Sequence, residues 1–208
     1  KLKKYNDKMK VVFYWNAFLD YDMYKAHEEY QKHPEWWLKT KDGELDLKNG
    51  RIKRYDLSNK EVRKWWVNVA KENVNTDYMD GVFFDALVQV TAPSNNKLWG
   101  QEKYNAIQQG LKDLITETKD VLDNDKLIVY NGIRSTPNRN VGNDFPENTD
   151  AIMIEHFGHF NSKTKESMLL DIQEMEKAGK SGKIVVFKTW PTFAWLNQNM
   201  MRKSDTEK

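Results

Sequence analysis

The sequence predicts an α/β fold of the (β/α)8 TIM-barrel type, present as an incomplete barrel segment. Three observations lead there. Five short runs, at 11–16, 81–85, 126–132, 151–156 and 183–188, are almost continuously apolar, as parallel strands buried on both faces are. Amphipathic stretches separate the later runs, which is the alternation of a covered parallel sheet. No glycine-rich phosphate loop follows any run, which disfavours a nucleotide-binding, doubly wound sheet. Five strands fall short of a full barrel, so its opening and closing elements are expected outside this segment. A smaller open sheet is the alternative.

The elements follow in chain order. Val11-Val12-Phe13-Tyr14-Trp15-Asn16 is β-branched and aromatic, a strand composition. A long connection then carries His33-Pro34-Glu35-Trp36-Trp37 and the turn Lys41-Asp42-Gly43-Glu44. Ser58 with Glu61 three residues on has the form of a capping box. Val62, Trp65, Trp66 and Val69 keep helical spacing to about Val74, with at least one of the two tryptophans expected in the core. The second strand runs from Gly81 to Asp85. An irregular stretch, 91–96, leads to an amphipathic helix over 103–121, with Ile107, Leu111, Leu114, Ile115 and Leu122 on one side. The third and fourth strands follow. A helix over 162–178, capped by Ser162 or Asn161 and closed near Gly179, precedes the fifth. The charged tail after about Met201 reads as disordered.

Composition narrows the partners. The 208 residues suffice for one domain, taken as 1–208. A net charge of +2 gives no electrostatic case for nucleic acid or an anionic membrane. No apolar stretch approaches the roughly 18 residues of a membrane span. Cysteine is absent, so no disulfide framework or thiolate chemistry arises. Lys1-Leu2-Lys3-Lys4-Tyr5 reads like the end of a helix, so a longer natural N-terminus is expected. A secreted or periplasmic location follows if that N-terminus carries a signal peptide. An open barrel segment would expose two strand edges, which are association-prone. The flanking elements are therefore expected to be needed for solubility. A monomeric 208-residue chain that melts cooperatively would contradict that. The sequence leaves the oligomeric state open.

The strand ends carry the chemistry. They are Asn16, Asp85, Asn131, Glu155 with His156, and Lys188 followed by Trp190. Catalytic groups of parallel α/β barrels sit at this rim, and an acid closing an apolar strand is poorly explained by packing. Two carboxylates among amides and aromatics suit glycoside hydrolysis, one acid attacking the anomeric carbon or activating water, the other protonating the leaving oxygen. Amides and Lys188 can hydrogen-bond sugar hydroxyls. Eight Trp, nine Tyr and nine Phe offer platforms for sugar rings. Trp15, Asn16, Trp37, Asn131, His156, Lys188 and Trp190 are the expected substrate-binding residues. Plainer roles stand beside these. Asp85 can cap the next helix, Glu155 can pair with Lys188, and the asparagines can satisfy strand-end backbone. Asp80 reads as a turn residue.

The order of motifs also resembles a known group. His33-Pro34-Glu35-Trp36-Trp37, then Tyr55-Asp56-Leu57-Ser58-Asn59-Lys60-Glu61-Val62-Arg63, then Asp80-Gly81-Val82-Phe83-Phe84-Asp85 is similar to the middle of α-galactosidase-superfamily barrels. Family 36 α-galactosidases show a His-Pro-Asp-Trp loop, an Asp-Leu-Ser-Asn-Pro-Glu-Val-Arg stretch and a strand ending in the nucleophilic Asp. This chain has Lys60 where they have Pro and lacks their Lys-Trp before that Asp. A closer likeness is to hypothetical glycosyl hydrolase family 15, with Glu155-His156-Phe157-Gly158-His159-Phe160 and Phe187-Lys188-Thr189-Trp190-Pro191 resembling segments there. The resemblance spans about residues 10 to 195. It implies a barrel glycosidase acting on a poly- or oligosaccharide, with Asp85 as nucleophile and Glu155 as acid/base of a retaining mechanism. The superfamily usually has Asp at the second position. That chemistry needs no cofactor and no metal.

Two other classes fit the same residues. In a metal-dependent, enolase-type lyase or isomerase, Asp85, Asn131 and Glu155 would hold a hard cation and Lys188 would be the base. In a non-catalytic carbohydrate-binding barrel, the aromatics would bind glycan and the carboxylates would be structural.

Overall fold

The structure is a computed structural model that describes residues 2–132, 147–158, 162 and 164–189. β1 (Val12–Asn16) is followed by a long connection holding α1 (His27–Tyr30) and a small antiparallel pair, β2 (Leu47–Lys48) and β3 (Ile52–Lys53). Then come α2 (Lys60–Val74), β4 (Gly81–Asp85), α3 (Leu87–Val90), α4 (Asn95–Trp99), α5 (Gln101–Val121), β5 (Leu127–Asn131), β6 (Ala151–Phe157), α6 (Lys165–Lys180) and β7 (Ile184–Thr189). The five expected strands form one sheet in the order β1-β4-β5-β6-β7, every neighbouring pair parallel. Among the described residues the sheet does not close, and β1 and β7 are its two edges. The α/β parallel class is as expected. A complete barrel is not formed by these elements.

Alternation along each strand separates two faces. Trp15, Val82, Phe84, Ile128, Tyr130, Ile152 and Ile154 are buried together in the main core, beside the α2 and α5 side chains. The opposite face carries Tyr14, Asn16, Phe83, Asp85, Val129, Asn131, Met153 and Glu155. It is the open face, with Tyr14 45% exposed. Trp66 is fully buried between β1 and β4, stacked on Trp15 (5.8 Å) and tilted on Phe84 (4.6 Å). Its indole N–H donates to Asn16 O at 2.9 Å. Trp65 is half-buried at the core's edge, so the expected core tryptophan is Trp66.

Two helix starts differ from expectation. The cap of α2 is Asn59, whose side chain accepts from Glu61 N at 2.9 Å. Ser58 is engaged elsewhere, since its hydroxyl donates to Asp56 at 2.6 Å and Lys103 bonds to both. The α6 helix is capped by Thr164 in a reciprocal box with Ser167. Ser162 is buried and accepts from Gly158 N instead, and Asn161 lies outside the described residues. The proposed disordered tail lies outside them as well.

The helices sit close because one residue is small. A Cβ on Gly110, in the middle of α5, would stand 2.0 Å from Leu57 O. Glycine there sacrifices about 1 kcal/mol of helix propensity relative to Ala to let α5 approach the entry to α2. Gly110→Ala is expected to destabilise the fold, the steric cost of about 1–3 kcal/mol outweighing the propensity gained. Urea denaturation measures the difference, and a more stable variant would contradict the packing.

Asp80 latches the opposite end of the sheet. Its carboxylate accepts from Val11 N at 2.7 Å and from Lys3 and Lys10. Burial pushes its pKa up, but those donors outweigh it and hold the group at about 2, below its ordinary 3.8. A depressed carboxylate contributes its stability above the unfolded value and loses it as pH falls through the folded one. The stability gap between the protein and Asp80→Asn should be widest above about pH 4 and narrow toward pH 2. Urea midpoints across that range test the sign.

Candidate active site

The register brings the strand ends level. Asn16 pairs with Asp85, Phe84 with Tyr130, and Asn131 with Met153, so Asn16, Asp85 and Asn131 share one row. Glu155 stands two residues higher on β6, where the β6–β7 register shifts between Ile154 and Phe157. Both acids are followed by a non-glycine residue in the left-handed region, Ala86 (φ 67) after Asp85 and His156 (φ 66) after Glu155. Such conformations cost energy and concentrate at functional sites. The helix after Asp85 has Ala86 at its N-cap position with no side-chain cap bond, so Asp85 does not cap it.

Asn131 joins the two acids. Its amide nitrogen donates to Asp85 Oδ1 at 2.9 Å and to Glu155 Oε2 at 3.1 Å. The second oxygens have separate partners. Tyr14 Oη donates to Asp85 Oδ2 at 2.5 Å. Lys188 Nζ lies 2.9 Å from Glu155 Oε1, and His156 Nε2 lies 3.6 Å from the same oxygen. Asp85 is thus held by neutral donors, and Glu155 by one neutral donor and two basic groups. The expected Glu155–Lys188 ion pair is present in the same geometry that places Glu155 beside Asp85.

These neighbours set the protonation of Glu155. Partial burial pushes its carboxyl up, but the bonds from Lys188 and Asn131 and the charge of His156 outweigh it, leaving the group below the ordinary range. The upward push of burial is thus present, but the donors and basic groups around the carboxyl overcome it. Burial and the bond to Asp85 raise Tyr14 well above the ordinary phenol range, so it is a neutral donor across the working pH range.

The other expected site residues are placed differently. Trp15 is a core residue, not a sugar platform. Its side chain is 1% exposed, and its N–H donates to Trp66 O. The reason is the period of two, which turns Trp15 to the helix side when Asn16 faces the open side. Asn16 is also buried. Its Oδ1 accepts from Phe18 N and Leu19 N, and its Nδ2 reaches Tyr14 Oη at 3.4 Å. It therefore shapes the strand end and touches the site at one remove. Trp37 is half-buried in the long connection, its N–H donating to Tyr30 O and the Lys53 ammonium 4.1 Å over its ring. Trp190 lies outside the described residues. Tyr14 was not foreseen, although its place two residues before Asn16 puts it on the same face.

Paired carboxylates at one rim of a parallel α/β sheet are the arrangement a barrel glycosidase uses. The chain belongs to hypothetical glycosyl hydrolase family 15, which it matches over residues 3–208. Among solved structures it is similar to Aspergillus fumigatus Ega3 in complex with galactosamine, at 15% identity and a TM-score of 0.59, over 98% of this chain and 69% of that one. It is also similar to TtGalA, an α-galactosidase from Thermus thermophilus solved with p-nitrophenyl α-D-galactopyranoside, at 12% identity and a TM-score of 0.52. That match covers 93% of this chain and 40% of the other. At these identities the likeness concerns the fold. No curated protein matches the chain.

Removing the cation beside Glu155 should release its carboxyl. In Lys188→Met, the Glu155 signal of protein labelled with 13C at Glu Cδ is expected to titrate at higher pH than in the parent. An unmoved signal would mean that Lys188 does not hold the group down.

Proposed function

We propose that the protein cleaves an O-glycosidic bond of a poly- or oligosaccharide by double displacement, with Asp85 as nucleophile and Glu155 as acid/base. The observation that carries this reading is the Asn131 bridge. Two oxygens that share one nitrogen cannot be farther apart than the two bonds end to end, about 6 Å. That bound concerns the nearer oxygen of each acid, and a single bridging amide between them favours the close retaining pair, about 5–5.5 Å between carboxyl groups, over a pair held roughly 6.5–9.5 Å apart by an intervening water.

In the first step Asp85 attacks the anomeric carbon, the glycosidic C–O bond breaks, and the Glu155 proton goes to the leaving oxygen. In the second, Glu155 takes a proton from water, the water oxygen attacks the anomeric carbon, and the bond to Asp85 breaks. His156 and Lys188, both beside Glu155, are assigned to sugar hydroxyls there. Trp37 is the platform assigned to a more distant sugar, and Trp190 completes the set.

The two solved relatives carry galacto-configured ligands, so α-galactosides and galactosamine-containing oligosaccharides head the substrate panel. The anomer released first, followed by proton NMR, is expected to retain configuration. Inversion would overturn the assignment. Glu155→Gln should lower kcat by roughly 10²–10⁴-fold on substrates with poor leaving groups, and Asp85→Asn should abolish turnover.

The depressed Glu155 pKa gives the pH dependence a sign. Its proton is lost as pH rises through a value below the usual Glu range, so activity should peak in acid. Lys188→Met should carry the alkaline limb of kcat/KM to higher pH.

A further inference from the structure

Tyr14 is the one described side chain outside the expected site that touches a candidate catalytic acid directly. It reaches Asp85 from the edge strand, with its ring half-exposed and stacked on Phe83 at 6.0 Å. The site contains two kinds of support. Glu155 is flanked by basic groups, whereas among the described residues the side-chain bonds to Asp85 come from a phenol and an amide. The difference matters for a group that must surrender its charge. A carboxylate that becomes an ester in the reaction loses the attraction of every cation near it. A neutral donor gives up less when that charge disappears, while still fixing the orientation of the carboxylate.

We propose that Tyr14 is a positioning residue for Asp85. Its hydroxyl fixes Oδ2, Asn131 fixes Oδ1, and the carboxylate plane is set before sugar arrives. The assignment rests on the reading of Asp85 as nucleophile. Two further groups support it. Asn16 Nδ2 donates toward Tyr14 Oη at 3.4 Å, which leaves the phenol proton for Asp85. Tyr24, raised to about 12 chiefly by burial, lies near Tyr14 and within range of the Asp85 charge, so it stays a neutral phenol beside the pair. Among the described residues, the charged or titratable groups facing Asp85 are therefore Tyr14 from β1, Tyr24 from the following loop, and Glu155 with Lys188 and His156 across Asn131.

Tyr14→Phe tests the proposal, because it keeps the ring and its stacking on an exposed face. The expected result is an unchanged melting temperature and a kcat lower by about 10- to 100-fold, with KM little altered. In protein labelled with 13C at Asp Cγ, the Asp85 carboxylate signal at neutral pH should move in Tyr14→Phe relative to the parent, because the bond to Oδ2 is gone. An unmoved Asp85 signal overturns the proposal, whatever the kinetics. A rise in KM alone overturns it too, since Tyr14 would then be binding sugar. If the parent is inactive on every glycan tried, the glycosidase reading fails, and the Asp85 carboxylate signal, which needs no substrate, still decides the part played by Tyr14.

Discussion

Everything at the rim depends on the height at which the strands are pinned at the other end. Asp80 donates its N–H to Val11 O, accepts from Leu127 N at its carbonyl, and accepts Val11 N at its carboxylate. One residue thereby fixes β1, β4 and β5 against each other. Asp150 does the same further along. Its N–H donates to Ile128 O, its carboxylate accepts Ile128 N, and its carbonyl accepts Ile184 N. A slip of one residue would turn a strand's side chains to the opposite face. Asp85 or Asn131 would then enter the helix side, and the amide bridge would be lost. Gly81 is part of the same constraint, because a Cβ there would meet Leu127 O at 2.1 Å.

Much of this was legible in the sequence. The five apolar runs became the five strands, within a residue or two at each end, because short apolar runs rich in β-branched and aromatic residues leave a clear signal. Asp85, Asn131, Glu155 and Lys188 were visible because each breaks such a run at its polar end. Trp15 and Asn16 show where the reading fails. Adjacent residues of one strand face opposite sides, so both cannot point into the same site. Tyr14 was hidden for the complementary reason. A phenol in an aromatic strand looks like packing until the neighbouring strand supplies the carboxylate it bonds. The helix starts were obscured by competition, since Ser58 and Ser162 are good caps that other polar groups had already claimed.

The aromatic excess also divides differently from what composition implies. Trp15, Trp66 and Trp99 are buried, and Trp36, Trp37 and Trp65 pack against the core from its edge. Trp99 illustrates why large indoles can go there. Its N–H finds a buried acceptor in Asp46 at 2.8 Å, so the ring is enclosed without an unsatisfied donor. Much of the tryptophan that looks like carbohydrate chemistry is therefore spent on holding the long β1–α2 connection to the sheet.

The unequal support of the two acids has a consequence in ionic strength. Lys188 and His156 act on Glu155 through charge at a partly exposed site, with the Lys188 side chain 42% exposed, and dissolved ions screen that attraction. The bonds to Asp85 are short-range dipolar contacts that ions at ordinary concentration hardly weaken. Salt therefore reaches one carboxylate of the pair and passes over the other. A rise in salinity would move the proton affinity of Glu155 back toward that of a free side chain, so the medium itself can retune one of two groups that the fold holds within one amide of each other.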